Sequence, residues 1–122
     1  MAKVLIVDDD RDICTLLSEL LEEEGFEVHT ARNGQEALEI LTREPGWVIL
    51  LDLCMPQMDG CEVLRQLQRN PDLQKNNRVV LMTASMSFTR LRLSFPVELV
   101  PRVLPKPFEL DEVVGVVQHL AS

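Results

Sequence analysis

The sequence has no tyrosine, one tryptophan and three cysteines, and it contains no long apolar stretch. Cys14, Cys54 and Cys61 form no CxxC pair, so they predict free thiols in a reducing compartment, with neither a disulfide framework nor a zinc site. No stretch is long enough to span a bilayer, and the chain opens on a strand-like run instead of a signal peptide. We therefore expect a cytoplasmic protein that does not associate with membranes.

The chain is also poor in cations. It carries 12 lysines and arginines against 20 aspartates and glutamates, which gives a net charge of −8. Phosphate backbones require a basic face and base stacking requires aromatic side chains, so this composition argues against direct nucleic-acid binding. The 122 residues, of which 46% are hydrophobic, suffice for one core and predict a single domain.

Strand-like and helix-like patterns alternate from one end of the chain to the other. Five short, largely aliphatic runs predict strands at residues 3–7, 27–31, 47–53, 78–83 and 102–105. The second run is the most polar, which favours the sheet edge, and the third is the most apolar, which favours the centre. Repeated strand–helix units of this size predict an α/β fold, with a parallel sheet and helices on both faces.

Helical spacing of apolar residues predicts the elements between the strands. The first helix has an apolar stripe at Ile13, Leu16, Leu17, Leu20 and Leu21. The second is predicted over residues 33–41, with an N-terminal cap at Asn33, and the third from residue 60 to about residue 70. The last helix carries Val113, Val116, Val117 and Leu120. Residues 85–101 should hold the fourth helix, but their prolines and poor stripe predict a short or distorted one.

Polar residues stand where the predicted strands end, and in an open parallel sheet ligands bind at the carboxyl ends of the strands. These residues combine carboxylates, a hydroxyl and an ammonium group: Asp8, Asp9, Asp10, Asp52, Thr83 and Lys106. Because the carboxyl ends of parallel strands meet at one edge of the sheet, we expect these groups to converge.

Taken singly, most of these residues have an ordinary structural explanation. Asp10 is expected to cap the first helix, and Asp8 and Asp9 could be turn residues. Asp52 is harder to explain, because an unpaired carboxylate on a central strand is costly. Lys106 stands between two prolines, which leave its backbone little freedom.

Taken together, the same residues predict phosphoryl chemistry. Two or three carboxylates with room for water make an oxygen-rich site that suits Mg²⁺ better than a soft metal. The ammonium of Lys106 and the hydroxyl of Thr83 can stabilise the charge of a transferring phosphoryl group. Asp52 is the candidate nucleophile, since carboxylates form covalent acyl phosphates.

Four motifs, in this order and at these separations, carry a resemblance to a known family: VLIVDD, LLDLCMPQMDG, Thr83-Ala84 and LPKPF. Over essentially its whole length the chain resembles the receiver domain of two-component response regulators. The resemblance implies a doubly wound, flavodoxin-like sheet of five parallel strands in the order 2-1-3-4-5. It also implies a single receiver domain over residues 1–122, with no effector domain in this chain.

The same resemblance implies a signalling phosphoacceptor and not an enzyme acting on external substrates. A histidine kinase or a histidine phosphotransfer domain would donate the phosphoryl group, and the affinity for an unknown downstream protein would change. The family resemblance also allows a homodimer through the face formed by the predicted fourth helix, the fifth strand and the last helix.

The resemblance further implies a role for each residue of a Mg²⁺ site. Asp52 looks like the phosphoacceptor and a metal ligand, and Asp9 resembles the acid that binds the metal directly. Asp8 would act through coordinated water. The backbone carbonyl of Cys54 would complete the metal shell.

Two further residues would act on the phosphoryl group. Thr83 resembles the hydroxyl that moves onto it, and the small Ala84 leaves room for it. Lys106 resembles the lysine that contacts the phosphoryl oxygens, and its bond to the following proline is often cis in this family. Val103 departs from the pattern, because an aromatic residue is common there. We therefore expect intact phosphoryl chemistry with an altered conformational relay.

Two other functions share part of this sequence pattern. A pseudo-receiver would keep the fold as a protein-interaction module without relying on phosphorylation, and the atypical segment at residues 85–101 keeps this alternative open. An aspartyl-phosphate phosphatase of the haloacid dehalogenase type requires the motif DxDx[TV]. Asp8 and Asp10 have its spacing, but Asp12 stands where Thr or Val is required.

Overall fold

A computed structural model describes residues 2–52, 60–83 and 95–121 of the chain. Within these residues, five strands and five helices form an α/β arrangement. The strands are β1 (Lys3–Val7), β2 (Glu27–Ala31), β3 (Trp47–Asp52), β4 (Arg78–Thr83) and β5 (Arg102–Pro105). The helices are α1 (Arg11–Glu23), α2 (Gly34–Arg43), α3 (Gly60–Arg69), α4 (Pro71–Asn76) and α5 (Leu110–Ala121).

The five strands form one parallel sheet in the order β2-β1-β3-β4-β5. The predicted strand order is therefore confirmed, with the polar β2 at an edge and the apolar β3 at the centre. The chain runs outward from β1 to β2 and then returns to β3 on the other side of β1. Strand order thus reverses between β1 and β3, and ligands of such sheets bind outside the carboxyl ends of these two strands.

A hydrophobic core lies on each face of the sheet. Side chains alternate along β1, so Leu5 and Val7 pack with α2 and α3, whereas Val4 and Ile6 pack with α1 and α5. All four of these side chains are fully buried. Burial on both faces explains why the central strands are uninterrupted aliphatic runs, and it confirms the prediction of helices on both faces.

The predicted helix caps are also present. The Asp10 carboxylate accepts hydrogen bonds from the backbone N–H groups of Asp12 (3.0 Å) and Ile13 (3.3 Å), which have no partner inside the first turn of α1. Asn33 caps α2 in the same way by accepting from the N–H of Glu36 at 2.9 Å. The caps fix where both helices begin, and for α1 this point lies directly after the acidic turn.

Two features go beyond what the sequence pattern predicts. The apolar stripe on α1 is present but not uniformly buried, because Leu17 and Leu21 are fully buried whereas Leu16 is 53% exposed. The third helix ends at Arg69 as predicted, but a short helix that was not predicted, α4, follows it. Asn70 caps α4 and Pro71 occupies its first position, where a missing N–H costs nothing.

The predicted fourth helix falls largely on residues 84–94, which lie outside the described residues, as does Ala84. The part that is described, residues 95–101, forms a turn at residues 97–99. Leu99 and Val100 anchor this turn in the core on the side of α2 and α3. Within the described ranges, no helix combines the length and the hydropathy needed to cross a membrane.

Candidate functional site at the carboxyl edge of the sheet

The ends of β1, β3 and β4 bring three polar side chains together. The pairing of Val7 with Leu51 places Asp8 beside Asp52, and Thr83 follows the residue of β4 that pairs with Asp52. Asp8, Asp52 and Thr83 are 1%, 6% and 3% exposed, respectively. Buried carboxylates are rare without a charged partner or a metal, so this cluster needs a chemical explanation.

Three carboxylates at this edge could hold a metal ion. Oxygen atoms of Asp8, Asp9 and Asp52 all lie within 4.8 Å of one another, and Asp9 is exposed while the other two are buried. These donors are exclusively hard oxygen atoms, which suits Mg²⁺ and disfavours soft metals. Cys54, whose carbonyl was predicted as a further ligand, lies outside the described residues, so its role stays a prediction.

Lys106 lies in the loop after β5 and supplies the positive charge of the cluster. Its Nζ is 3.3 Å from Oδ2 of Asp8 and 3.6 Å from Oδ2 of Asp52. Its backbone N–H donates to the carbonyl oxygen of Thr83 at 2.6 Å, and its peptide bond to Pro107 is cis. The backbone contact holds the start of the lysine side chain at the end of β4, so its ammonium reaches both buried acids.

Burial and charge act against each other in this cluster. Burial raises the pKa of Asp8, and so does the nearby charge of Asp52, whereas the backbone N–H of Asp10 and the ammonium of Lys106 lower it; the net shift is upward. Burial alone would lower the pKa of Lys106, but the charges of Asp8 and Asp52 outweigh it and raise that pKa. The cluster therefore holds an ammonium that is firmly protonated and a carboxylate that ionises reluctantly.

Cys14 contacts the site in a way that the sequence analysis missed. Its Sγ donates a hydrogen bond to the backbone oxygen of Asp8 at 3.2 Å. Burial, together with the charges of Asp8 and Asp10, raises the pKa of this thiol to about 11. The thiol therefore supports the acidic turn and is a poor nucleophile at neutral pH. Cys14 lies one turn into α1, and its spacing from Asp8 does not by itself predict this contact.

An apolar groove, here called the Lys106 groove, borders the site and was also missed. It has a volume of about 440 Å³ and is lined by Ile13, Leu16, Leu17, Lys106, Pro107, Phe108 and Leu110. Leu16 and Leu110 are 53% and 39% exposed, and Val97 is the other large apolar side chain exposed to this degree among the described residues. Exposed apolar side chains are thus concentrated beside the carboxylate cluster.

Known proteins share both the sequence pattern and the fold. The sequence profile of the response regulator receiver domain matches residues 4–118, a range that includes every residue of the site. Sporulation initiation phosphotransferase F of Bacillus subtilis (strain 168) is 37% identical over 111 residues, which cover 91% of this chain and 86% of that protein. Transcriptional regulatory protein CpxR of Escherichia coli (strain K12) is 39% identical over 116 residues, and the match covers 94% of this chain but only 47% of that protein.

A solved structure is similar to this chain in fold as well as in sequence. Response regulator protein TrrA from Thermotoga maritima, whose structure is a complex with Mg(2+)-BeF, is 34% identical to this chain with a TM-score of 0.82. That match covers 98% of this chain and 99% of TrrA. The similarity therefore extends over the whole sheet, including the edge where the carboxylates meet.

Proposed function

Because the chain belongs to the response regulator receiver domain family of two-component systems, we propose that it is a phosphorylatable signalling switch whose phosphoacceptor is Asp52. The observation that carries this proposal is the placement of one buried carboxylate among the groups that phosphoryl transfer needs. Asp52 has two other carboxylates within 4.8 Å and the ammonium of Lys106 at 3.6 Å.

The donor in this proposal is a phosphohistidine, on a histidine kinase or on a histidine phosphotransfer domain. An oxygen of Asp52 forms a bond to phosphorus while the phosphorus–nitrogen bond breaks, and the electron pair of that bond returns to the imidazole ring. The product is an aspartyl phosphate, and the changed affinity is for a downstream protein. The chain acts as a phosphoacceptor that assists its own transfer and dephosphorylation, and it is not an enzyme for external substrates.

The carboxylates supply the metal ligands. In this proposal Asp9 and Asp52 would bind the metal directly, Asp8 would act through coordinated water, and the carbonyl of Cys54 would be a further ligand. Bound Mg²⁺ would offset the repulsion among the acids and hold a phosphoryl oxygen. Asp8 is held in place by accepting the N–H of Asp10 at 2.9 Å, so its carboxylate stays directed into the cluster.

Lys106 and Thr83 act on the phosphoryl group itself. The ammonium of Lys106 is already within 3.6 Å of Asp52, so a small movement would bring it to the phosphoryl oxygens. Thr83 ends the neighbouring strand and is 3% exposed, and its hydroxyl can donate a hydrogen bond to the same group. Since the backbone N–H of Lys106 donates a hydrogen bond to the carbonyl oxygen of Thr83, a movement of one residue on phosphorylation would be transmitted to the other.

The readout of phosphorylation is expected to differ from that of relatives with an aromatic residue on the fifth strand. Val103 is half-buried against the same core as Phe95, and it has no ring that could turn inward. We expect a limited response, measured as amide chemical-shift changes on adding beryllium fluoride with Mg²⁺. Large changes throughout residues 86–103 would contradict this expectation.

Phosphorylation can be tested by incubating the chain with acetyl phosphate or phosphoramidate and Mg²⁺ and measuring its intact mass. We expect a gain of one phosphoryl group that is lost in Asp52→Asn and suppressed by EDTA. Asp72→Asn is the matched control, because Asp72 is an exposed acid of α4 that does not belong to the carboxylate cluster. If the wild type gains no mass, or if Asp52→Asn gains as much mass as the wild type, the proposal is refuted and a pseudo-receiver that only binds proteins is favoured.

A further inference from the structure

We propose that the Lys106 groove binds the apolar acyl group of small acyl phosphates, so that Asp52 accepts phosphoryl groups faster from longer acyl phosphates than from acetyl phosphate. This inference rests on the proposed function, because the same carboxylate is the nucleophile. It adds a substrate preference that depends on residues outside the carboxylate cluster.

The lining of the groove indicates the kind of ligand. Among the residues that the structure describes, the lining side chains are apolar except for Lys106, and the volume of about 440 Å³ lies in the range of small-molecule sites. Lys106 lines the groove and its ammonium reaches Asp8 and Asp52, so an apolar wall lies beside a cation; this combination matches a ligand that has an anionic end and an apolar end. A ligand that is polar throughout would lose water along this wall without gaining partners for its own polar groups.

Lys106 also connects the groove to the reacting carboxylate. The residue lines the groove, and its Nζ is 3.6 Å from Oδ2 of Asp52. An anion held by this ammonium therefore lies next to Asp52, and the rest of the ligand extends toward Leu16 and Leu110. In an in-line displacement the leaving group points away from the attacking oxygen, outward from the end of β3. The acyl group therefore departs from the sheet edge, on the side where α1 and the segment after β5 border the site.

The transfer balances without another reactant. An oxygen of Asp52 forms a bond to phosphorus, and the bond between phosphorus and the acyl oxygen breaks. The electron pair leaves with the acyl group as a carboxylate, and the products are an aspartyl phosphate and a short-chain carboxylate anion. The apolar tail takes no part in these bond changes, so it affects the rate only through its contact with the groove.

The preference is measured as the ratio of the second-order rate constants for butyryl phosphate and acetyl phosphate, with Mg²⁺ present. The two donors share the same reacting group, and butyryl phosphate has two more methylene groups. Full burial of one methylene group corresponds to about a fourfold gain in rate constant. Since the groove is open to solvent on one side, we expect about half of that burial, which gives roughly twofold per methylene group and about fourfold for both.

Two variants test whether the groove causes the ratio. Leu16→Gln and Leu110→Gln each replace an exposed apolar side chain of the lining, so neither should prevent folding, and a urea titration verifies this. We expect the ratio to fall toward one in both variants. Val97→Gln is the matched control, because Val97 is 58% exposed but does not line the groove, and its ratio should stay near the wild-type value.

The outcomes separate this inference from the proposed function. If acetyl phosphate and phosphoramidate both phosphorylate Asp52 but butyryl phosphate reacts no faster than acetyl phosphate, the groove has no role in donor choice and the proposed function stands. The same conclusion follows if the ratio is high but survives in both groove variants. If no donor phosphorylates Asp52, the proposed function and this inference fail together.

Discussion

Replacing Asp8 by asparagine should stabilise the metal-free protein while impairing its proposed metal site. Asp8 is 1% exposed, and burial is the largest cause of its raised pKa. Asparagine has nearly the same shape and can still accept the hydrogen bond from the N–H of Asp10. The substitution therefore removes a buried charge and its ion pair with Lys106, while it keeps the shape of the side chain and the backbone contact.

The distances allow the size of this effect to be worked out. At an effective dielectric constant of about 20, attraction between Asp8 and Lys106 across 3.3 Å is about 5 kcal/mol. Oxygens of Asp8 and Asp52 lie within 4.8 Å of each other, so their repulsion is at least about 3.5 kcal/mol, and the exposed Asp9 adds about 1 kcal/mol through solvent. These terms nearly cancel, so the penalty for burying the ion decides the sign. That penalty is several kcal/mol per ion, and the weaker fit of an amide beside Lys106 offsets part of it. We expect a net stabilisation of about 1–2 kcal/mol.

The effect should depend on pH in a definite direction. Because the pKa of Asp8 is higher in the folded protein than its ordinary value of 3.8, ionisation of Asp8 costs stability as the pH rises through the folded-state pKa. Below pH 3.8 the carboxyl group is neutral in both states, and the penalty is absent. The advantage of Asp8→Asn should therefore be largest near pH 7.5 and shrink as the pH falls toward 4.

Urea unfolding in EDTA at several pH values is the appropriate assay. A gain of about 1–2 kcal/mol moves the midpoint by roughly 0.5–1 M urea for a domain of this size. Glu39→Gln, which removes one negative charge from an exposed position of α2, controls for net charge. Added Mg²⁺ should stabilise the wild type more than Asp8→Asn, since a ligand stabilises the state that binds it. A variant that is less stable than the wild type at pH 7.5 in EDTA would refute the reasoning.

Three further predictions concern single residues. Asn77→Ala should lower the free energy of unfolding by about 2–4 kcal/mol, because Asn77 is fully buried and its side-chain oxygen accepts a hydrogen bond from the backbone N–H of Trp47 at 2.9 Å. The control is Asn76→Ala at an exposed position, which should lower it by less than about 1 kcal/mol in the same urea titration. Gly115→Ala should raise the free energy of unfolding by about 0.5–1 kcal/mol, because Gly115 is exposed inside α5 and an added Cβ meets no atom within 4 Å; a loss of stability would contradict this. The Cys14 thiol, with a pKa of about 11 against an ordinary 9.0, should react with iodoacetamide at pH 8 about 100-fold more slowly than an unperturbed thiol. Peptide-level mass spectrometry measures that rate, and rapid labelling of the folded protein would show that the thiol is not held as described.

The sheet and the centre of the site could be predicted from the sequence because their causes are local. Aliphatic runs buried on both faces identify the strands, and parallel strands place their carboxyl ends at one edge. Asp8, Asp52, Thr83 and Lys106 each follow or end a predicted strand, so their convergence required only the topology. The strand order itself followed from the family resemblance, since alternation alone does not decide which strands are neighbours.

The features that were missed depend on packing or on signals with two meanings. A helical stripe does not show which of its members lack a neighbour, so the pattern alone does not reveal that Leu16 is exposed and lines the Lys106 groove. Asn70-Pro71 is a pattern that ends one helix and can also begin the next, and only the structure shows that it does both. The contact of Cys14 with the turn at Asp8 depends on the entry angle of α1, which no spacing rule gives.

The ion pairs of Lys106 have a consequence for ion selectivity. The ammonium group of Lys106 is a counter-ion that is covalently part of the protein, so the negative charge of the acidic cluster is partly neutralised even without a bound metal. A sodium or potassium ion that displaced this ammonium would exchange one unit charge for another and would gain no Coulomb energy, while it would lose its own freedom of movement. A divalent ion brings twice the charge and gains from the same exchange. In the proposed metal site, Lys106 would therefore favour divalent over monovalent cations.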